Sequence, residues 1–134
     1  MAYYLEIERN MNLDTEYLNQ LLHTWEETYK KGQLTLWLLL ALRDSPKYMG
    51  DVREFIQVNT SGIITCEEQS VYRALRKFYD LEIVDFEMRD GKSGPSRKYY
   101  FLTELGQKLL RTFIKRNIKI MYTNEISHLF SDKD

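Results

Sequence analysis

Residues 65–102, TCEEQSVYRALRKFYDLEIVDFEMRDGKSGPSRKYYFL, decide the fold. The first third of this stretch has a helical period, with Val71, Leu75 and Phe78 spaced to face a core. Thr65-Cys66-Glu67-Glu68 has the Thr-x-x-Glu form of a capping box, in which hydroxyl and carboxylate satisfy free amides at a helix start. The opposite face carries Gln69, Arg73, Arg76 and Lys77, three cations and no anion. Arg and Gln are the side chains suited to guanine and adenine edges, so this face fits a DNA major groove.

The remainder of the stretch changes period. Val84, Phe86 and Met88 alternate with Ile83, Asp85, Glu87 and Arg89, and Tyr99 and Phe101 alternate with Lys98, Tyr100 and Leu102. Between these two strands, Asp90-Gly91-Lys92-Ser93-Gly94-Pro95-Ser96 can turn but cannot continue a ladder. Arg89, Lys92, Arg97 and Lys98 crowd this tip. A helix followed by a basic hairpin is the core of a winged helix-turn-helix, in which the wing grips the backbone beside the groove that the helix enters. The fold class expected is mainly α, with a small β component.

These residues also carry a resemblance. Ser70-Val71-Tyr72, Leu75 and above all Gly94-Pro95-Ser96-Arg97-Lys98-Tyr99-Tyr100-Phe101-Leu102-Thr103-Glu104-Leu105-Gly106 resemble the signature of the PadR family of transcriptional regulators, over about Leu34 to Leu110. Three positions depart from the family pattern. Arg73 stands where proline is usual, Glu82 where a glycine separates helix from strand, and Met49-Gly50 where Gly-Tyr is usual. The resemblance implies a dimeric regulator joined through C-terminal helices and sensing aromatic compounds. A repressor released by such a molecule is expected, and the lack of a signal peptide or membrane-length apolar run adds the expectation of a cytoplasmic protein. Dimer symmetry implies a pseudo-palindromic operator on double-stranded DNA. The DNA-binding residues expected are Gln69, Arg73, Arg76 and Lys77 in the groove, Ser70 and Tyr72 near phosphates, and Lys92, Arg97 and Lys98 on the wing.

Overall charge does not announce such a partner, since the net charge is −1. Its distribution does: residues 1–68 carry six Lys/Arg against eleven Asp/Glu, residues 69–134 carry thirteen against nine, and residues 89–119 carry nine against two. Coinciding with a helix face and a turn tip, these cations suit a polyanion better than an ordinary solvated face.

Working outward, Met1 to Leu13 has no clear period and fits either a short strand or an arm. From Asp14 the apolar residues Tyr17, Leu18, Leu21, Leu22, Trp25 and Tyr29 predict an amphipathic helix ending at Lys30-Lys31-Gly32. Leu34 to Leu42, apolar nearly all round, predicts a separate buried helix that Asp44-Ser45-Pro46 stops. A further helix is expected from about Lys47 to Gln57 with Val52, Phe55 and Ile56 inward. Ile63-Ile64 is expected as a third strand. Thr103 should cap a long C-terminal helix whose Leu105, Leu109, Leu110, Phe113, Ile114, Ile118 and Met121 form an apolar band, with helical spacing continuing to Phe130. Left in water such a band costs about 25 cal/mol per Å², so a second subunit is its expected cover. The chain thus divides into an N-terminal arm and helix at the dimer seam (1–31), a winged-helix DNA-binding domain (32–103) and a C-terminal dimerisation helix (104–134).

Other chemistries are poorly supplied. His23 and His128 stand alone, so no metal site is expected, and the sequence has no P-loop, dinucleotide fingerprint or nucleophile elbow. No cofactor and no enzyme activity are expected. The single cysteine, Cys66, allows no intrachain disulfide. At a helix start its thiolate would be favoured, but Glu67 and Glu68 oppose that, and a packed thiol is the default. The longest apolar run, Leu36 to Leu42, is far short of the ~20 residues of a membrane span, and no signal peptide is seen. Tyr17, Trp25, Trp37, Phe113 and Tyr122 are candidate lining for an effector pocket, with core packing as the default for such a stripe. Two rival functions remain: a winged helix that docks protein without binding DNA, and a small-molecule carrier.

Overall fold

The computed structural model describes residues 2–91 and 93–132. It is mostly helical with one two-stranded antiparallel sheet, a winged helix-turn-helix. The chain forms two compact units, Met1–Leu34 and Thr35–Asp134.

The first helix, α1, runs without a break over Ala2–Ala41. The expected strand or arm before Leu13 and the expected stop at Gly32 are therefore both corrected. Glycine inside a helix costs only about 1 kcal/mol relative to alanine. The flanking residues Lys30, Lys31, Gln33 and Leu34 are good helix formers, and the first proline comes at Pro46. Polar side chains along α1 bond to the helix itself. Thr15 Oγ1 donates to the Met11 carbonyl at 3.0 Å and Thr24 Oγ1 to that of Gln20 at 3.0 Å.

In the second unit, the last turns of α1 bury Leu38, Leu39 and Ala41, and these meet a core of Leu42, Val52, Ile56, Val71, Leu75, Val84 and Leu110. Helix α2 spans Met49–Asn59, with Val52 and Ile56 buried and Phe55 half-buried. It ends in a Schellman turn: the Gly62 amide donates to the Gln57 carbonyl at 2.8 Å, and Ser61 and Gly62 are left-handed, at φ 52° and 76°.

The expected third strand at Ile63-Ile64 does not form. Backbone groups there are engaged by Thr60 instead, whose hydroxyl accepts from the Ile64 amide at 3.1 Å and whose carbonyl accepts from the Ile63 amide at 3.0 Å. Lys47 occupies that place by a single bridge. Its amide donates to the Tyr100 carbonyl at 2.9 Å and its carbonyl accepts from the Tyr100 amide at 2.8 Å. Lys47 Nζ also donates to the Ala41 carbonyl at 2.6 Å, so one residue ties the end of α1 to the sheet.

Helix α3 covers Glu68–Asp80 and buries Val71 and Leu75. Its expected capping box is corrected: the helix starts at Glu68 after an extended Glu67, and no side chain caps it. The turn is held from outside, because Arg53 Nε on α2 donates to the Cys66 carbonyl at 3.1 Å. After α3, Glu82 takes a left-handed conformation (φ 63°) while the Ile83 amide donates to the Phe78 carbonyl at 2.9 Å. A glycine would accept this backbone without the Cβ penalty.

Strands β1 (Val84–Arg89) and β2 (Arg97–Leu102) pair with Val84 opposite Leu102, Phe86 opposite Tyr100 and Met88 opposite Lys98. Tyr100 and Leu102, rather than Tyr99 and Phe101, are the buried residues of β2. Thr103 caps helix α4 (Glu104–Phe113) as expected, its Oγ1 accepting from the Gly106 amide at 3.0 Å.

The long C-terminal helix is not regular. A π-helical turn covers Ile114–Ile118, a 3₁₀ turn covers Lys119–Tyr122, and an extended Thr123 precedes the short α5 (Asn124–Ser127) and a last 3₁₀ turn, His128–Phe130. Local side chains compete with the ladder. Asn117 Nδ2 donates to the Phe113 carbonyl at 3.2 Å, and Thr123 Oγ1 donates to that of Ile120 at 2.8 Å.

Gly106 is buried, and a Cβ built on it would strike the Ile83 carbonyl. Gly106→Ala is expected to lower stability by about 1–3 kcal/mol, as overpacking does, read as a fall in the urea midpoint. An unchanged midpoint would show that the α4–β1 junction is loose.

Candidate nucleic-acid interface

The groups that could meet a polyanion sit on three elements of the second unit. On α3, Gln69, Arg73, Arg76 and Lys77 are exposed, Tyr72 is about half exposed and Ser70 is half-buried. Among the described residues, no ion pair or hydrogen bond engages the head groups of Arg73, Arg76 or Lys77. Their charge is uncommitted. The high polarity of the outer face of α3 comes from a sequence that buries only Val71 and Leu75.

On the wing, three cations lie over aromatic rings. Arg97 sits 4.5 Å from the Tyr48 ring centroid, Lys98 4.6 Å from that of Phe86 and Arg89 4.6 Å from that of Tyr99. Arg89 is further held by Glu87, with Nε to Oε1 at 2.7 Å, so its charge is largely spent inside the wing. Arg97 and Lys98 keep exposed head groups. The expected wing-tip cation Lys92 lies outside the described residues.

Tyr72 borders three shallow hollows, one between α3 and the start of α2 and two that join α3 to the wing. One of about 440 Å³ is lined by Met49, Glu68, Gln69, Tyr72 and Arg73. One of about 380 Å³ brings Tyr72 and Arg76 to Lys98, over Phe86 and Tyr100. The third, about 550 Å³, places Tyr72 beside Arg97 and Lys98, with Tyr48, Gly50 and Arg53 on its far side. Of the expected residues, Gln69, Tyr72, Arg73, Arg76, Arg97 and Lys98 are thus brought to one continuous surface. Ser70 and Lys77 border none of these hollows.

Tyr48 and Arg53 join this surface without having been expected there. Gly50 makes room for Tyr48, since a Cβ at residue 50 would meet the ring at 2.6 Å. The only sequence signal was the missing side chain in Met49-Gly50, which reads as a close approach but does not say of what.

Glu68 and Asp80 also border these hollows, but another hollow holds carboxylates as its only charged groups. A larger hollow, about 640 Å³, is lined by Asp80, Glu82, Asp85 and Glu104 with no cation. Its carboxylates would repel phosphate, so size does not mark the nucleic-acid face here. Burial, and then the Tyr72 phenol beside it, push the Tyr100 hydroxyl above the usual tyrosine range, so it stays a neutral hydrogen-bonding group. The candidate effector residues lie elsewhere: Tyr17 and Trp25 are exposed in the first unit, and in the second Phe113 and Tyr122 are exposed while Trp37 is half-buried.

Residues 38–112, more than half of the chain, match the model of the transcriptional regulator PadR-like family. The chain belongs to that family. PadR-like proteins are transcriptional regulators rather than enzymes, and the fold agrees with those of solved members. A PadR family regulator from Eggerthella lenta DSM 2243 is 20% identical, with 87% of this chain and 97% of that one aligned at a TM-score of 0.65. The PadR-like regulator of Bacillus cereus is 24% identical over 76% of this chain and 96% of its own, at a TM-score of 0.60. Bacillus subtilis PadR, solved in complex with operator DNA, is 20% identical over 60% of this chain and 46% of its own, at a TM-score of 0.55. Among the described residues, no helix of this PadR-like protein is long and apolar enough to cross a membrane.

Cys66, half-buried before α3, has its thiol pushed up by burial, with the nearby Arg53 charge and hydrogen bond pulling the other way. Because the thiolate is the nucleophile, a raised pKa lowers reactivity at a given pH. Iodoacetamide should therefore alkylate Cys66 more slowly in the native protein than in the urea-unfolded chain at pH 8. A faster native rate would mean that Arg53 dominates.

Proposed function

We propose that this PadR-like protein binds double-stranded DNA as a cytoplasmic homodimer and regulates transcription, as a repressor released by an aromatic small molecule. The observation that carries the DNA reading is the pair Arg73 and Arg76, exposed and without an ion-pair partner among the described residues, with Arg76 sharing a shallow hollow with Lys98 of the wing and Tyr72, between them, bordering Arg97 as well. Unpaired guanidinium groups on a helix face suit guanine edges. Cations on the neighbouring wing suit phosphates, which position the protein without reading sequence. That a related fold, Bacillus subtilis PadR, was solved on operator DNA supports the same use here. Gln69 and Lys77 flank the arginines, Ser70 and Tyr72 are assigned to the backbone, and Lys92, outside the described residues, is assigned a further phosphate contact.

The dimer reading rests on apolar groups left in water. Leu105, Leu109 and Phe113 recur at four-residue spacing along α4 and are each exposed, as are Ile120 and Met121 beyond it. Residues 104–134 are assigned to the seam on this ground, residues 32–103 to DNA binding and residues 1–31 to the same seam. Trp37 and Phe113, among the aromatic side chains of the second unit, offer the chemistry that a planar effector needs. Two-fold symmetry then asks for operator half-sites about one helical turn apart, or a multiple.

In an electrophoretic shift with the protein's own promoter DNA, Arg73→Ala with Arg76→Ala should abolish the specific complex, at about 1–3 kcal/mol for each lost base contact. Lys92→Ala or Lys98→Ala should weaken binding on all sequences alike and reduce the salt slope by about 0.9. A normal shift by the double arginine variant would refute the assignment of α3.

A further inference from the structure

The first unit is one uninterrupted helix, and four of its most exposed apolar residues recur at a period of seven. Tyr4, Met11, Leu18 and Trp25 are 71%, 62%, 62% and 72% exposed and lie seven residues apart. With these as the a positions of a heptad, Ile7 and Leu21 fall at d, and Leu22 and Tyr29 flank the seam. A straight α-helix repeats every 3.6 residues, so a row kept at seven over four repeats turns slowly around its own axis. It stays in contact with a partner only if the two helices supercoil. These residues lie outside the family's matched segment, which begins at residue 38.

We infer that residues 2–33 pair with the same segment of a second copy as an antiparallel coiled coil. This rests on the homodimer reading and adds to it a specific seam. The eight apolar side chains offer on the order of 800 Å² to a partner, which is what each side of a stable interface contributes. The direction follows from Asp14 and Thr28, the two polar d positions. In a parallel pair each a residue meets its own copy, as does each d residue, so two Asp14 carboxylates would face each other inside the seam and repel. In an antiparallel pair a meets d, and the four layers with the fullest overlap join residues whose numbers total 32. Tyr4 then meets Thr28 of the other copy, Met11 meets Leu21, Leu18 meets Asp14 and Trp25 meets Ile7. Tyr4, Leu18 and Trp25 each face a smaller side chain, Met11 faces one of equal size, and the two carboxylates are kept apart. The same register brings Lys31 over Tyr3 of the other copy, a cation on a ring.

The test uses the full chain carrying Cys66→Ser. With Met11→Cys and Leu21→Cys together, mild oxidation should give a covalent dimer on a non-reducing gel, whereas Met11→Cys alone should give almost none. Equal cross-linking by the single variant would establish the parallel pair, and no cross-link from either would leave the helix to some other occupant; both results overturn the inference. Independently, Leu18→Glu with Trp25→Glu should weaken self-association at least tenfold in sedimentation equilibrium, with helix content by circular dichroism unchanged. Association unaffected by these two charges also overturns it. If cross-linking fails while the wild-type chain sediments as a dimer, the coiled coil is wrong and the dimer stands. A wild-type chain that is monomeric at micromolar concentration removes both.

Discussion

The position of the wing depends on one knot of backbone between α3 and α4. Thr103 Oγ1 donates to the Glu82 carbonyl at 2.6 Å and accepts from the Gly106 amide at 3.0 Å, while the Thr103 amide donates to the Ile83 carbonyl at 3.1 Å. Gly106 has no Cβ, and so the first turn of α4 can close onto that same carbonyl. Both strands therefore leave one point with their register set, and Val84 and Leu102 enter the core as a pair. On the other side of β2, Lys47 bonds the Tyr100 backbone in both directions and reaches the end of α1. The hairpin is fixed at its base from two directions, and its outer end is free to carry charge.

Much of this was legible in the residues. The switch from helical to alternating period at Leu81-Glu82-Ile83, the turn composition of 90–96 and the cap at Thr103 are local signals, and each marks an element that formed where it was expected. The failures have local causes too, but the deciding contacts are distant or cooperative. Gly32 reads as a stop in the sequence, although a glycine between good helix formers costs less than ending the helix would. Thr65 reads as a cap, but the turn before α3 is organised by Arg53, twelve positions earlier in sequence, and nothing in a four-residue motif could reveal that. Ile63-Ile64 has the β propensity expected of a third strand, whereas the bridge to Tyr100 is made by Lys47, a residue with no such preference.

The candidate interface was legible in outline because charge on a helix face is a periodic signal. Arg73 and Arg76 could be placed on one face from spacing alone. What spacing could not give was the partner of each wing cation. Arg89 has its guanidinium spent on Glu87 and Tyr99, whereas Arg97, eight residues later and opposite it in the hairpin, has a tyrosine beneath it but no acid among the described residues. The two arginines look alike in the sequence and differ in what they can offer a phosphate.

The ring of Tyr48 under Arg97 has a thermodynamic side. A long basic side chain that waves in solvent loses rotamer freedom when it clamps an anion, a loss that can reach about 1.5–2 kcal/mol. Resting on an aromatic face, Arg97 has already given up part of that freedom during folding. Contact at the wing then demands less ordering than contact by the unsupported Arg73 and Arg76 on α3. On the DNA-binding reading proposed above, the hairpin is suited to engage first and hold the molecule on any stretch of duplex, leaving α3 to settle only where the bases match.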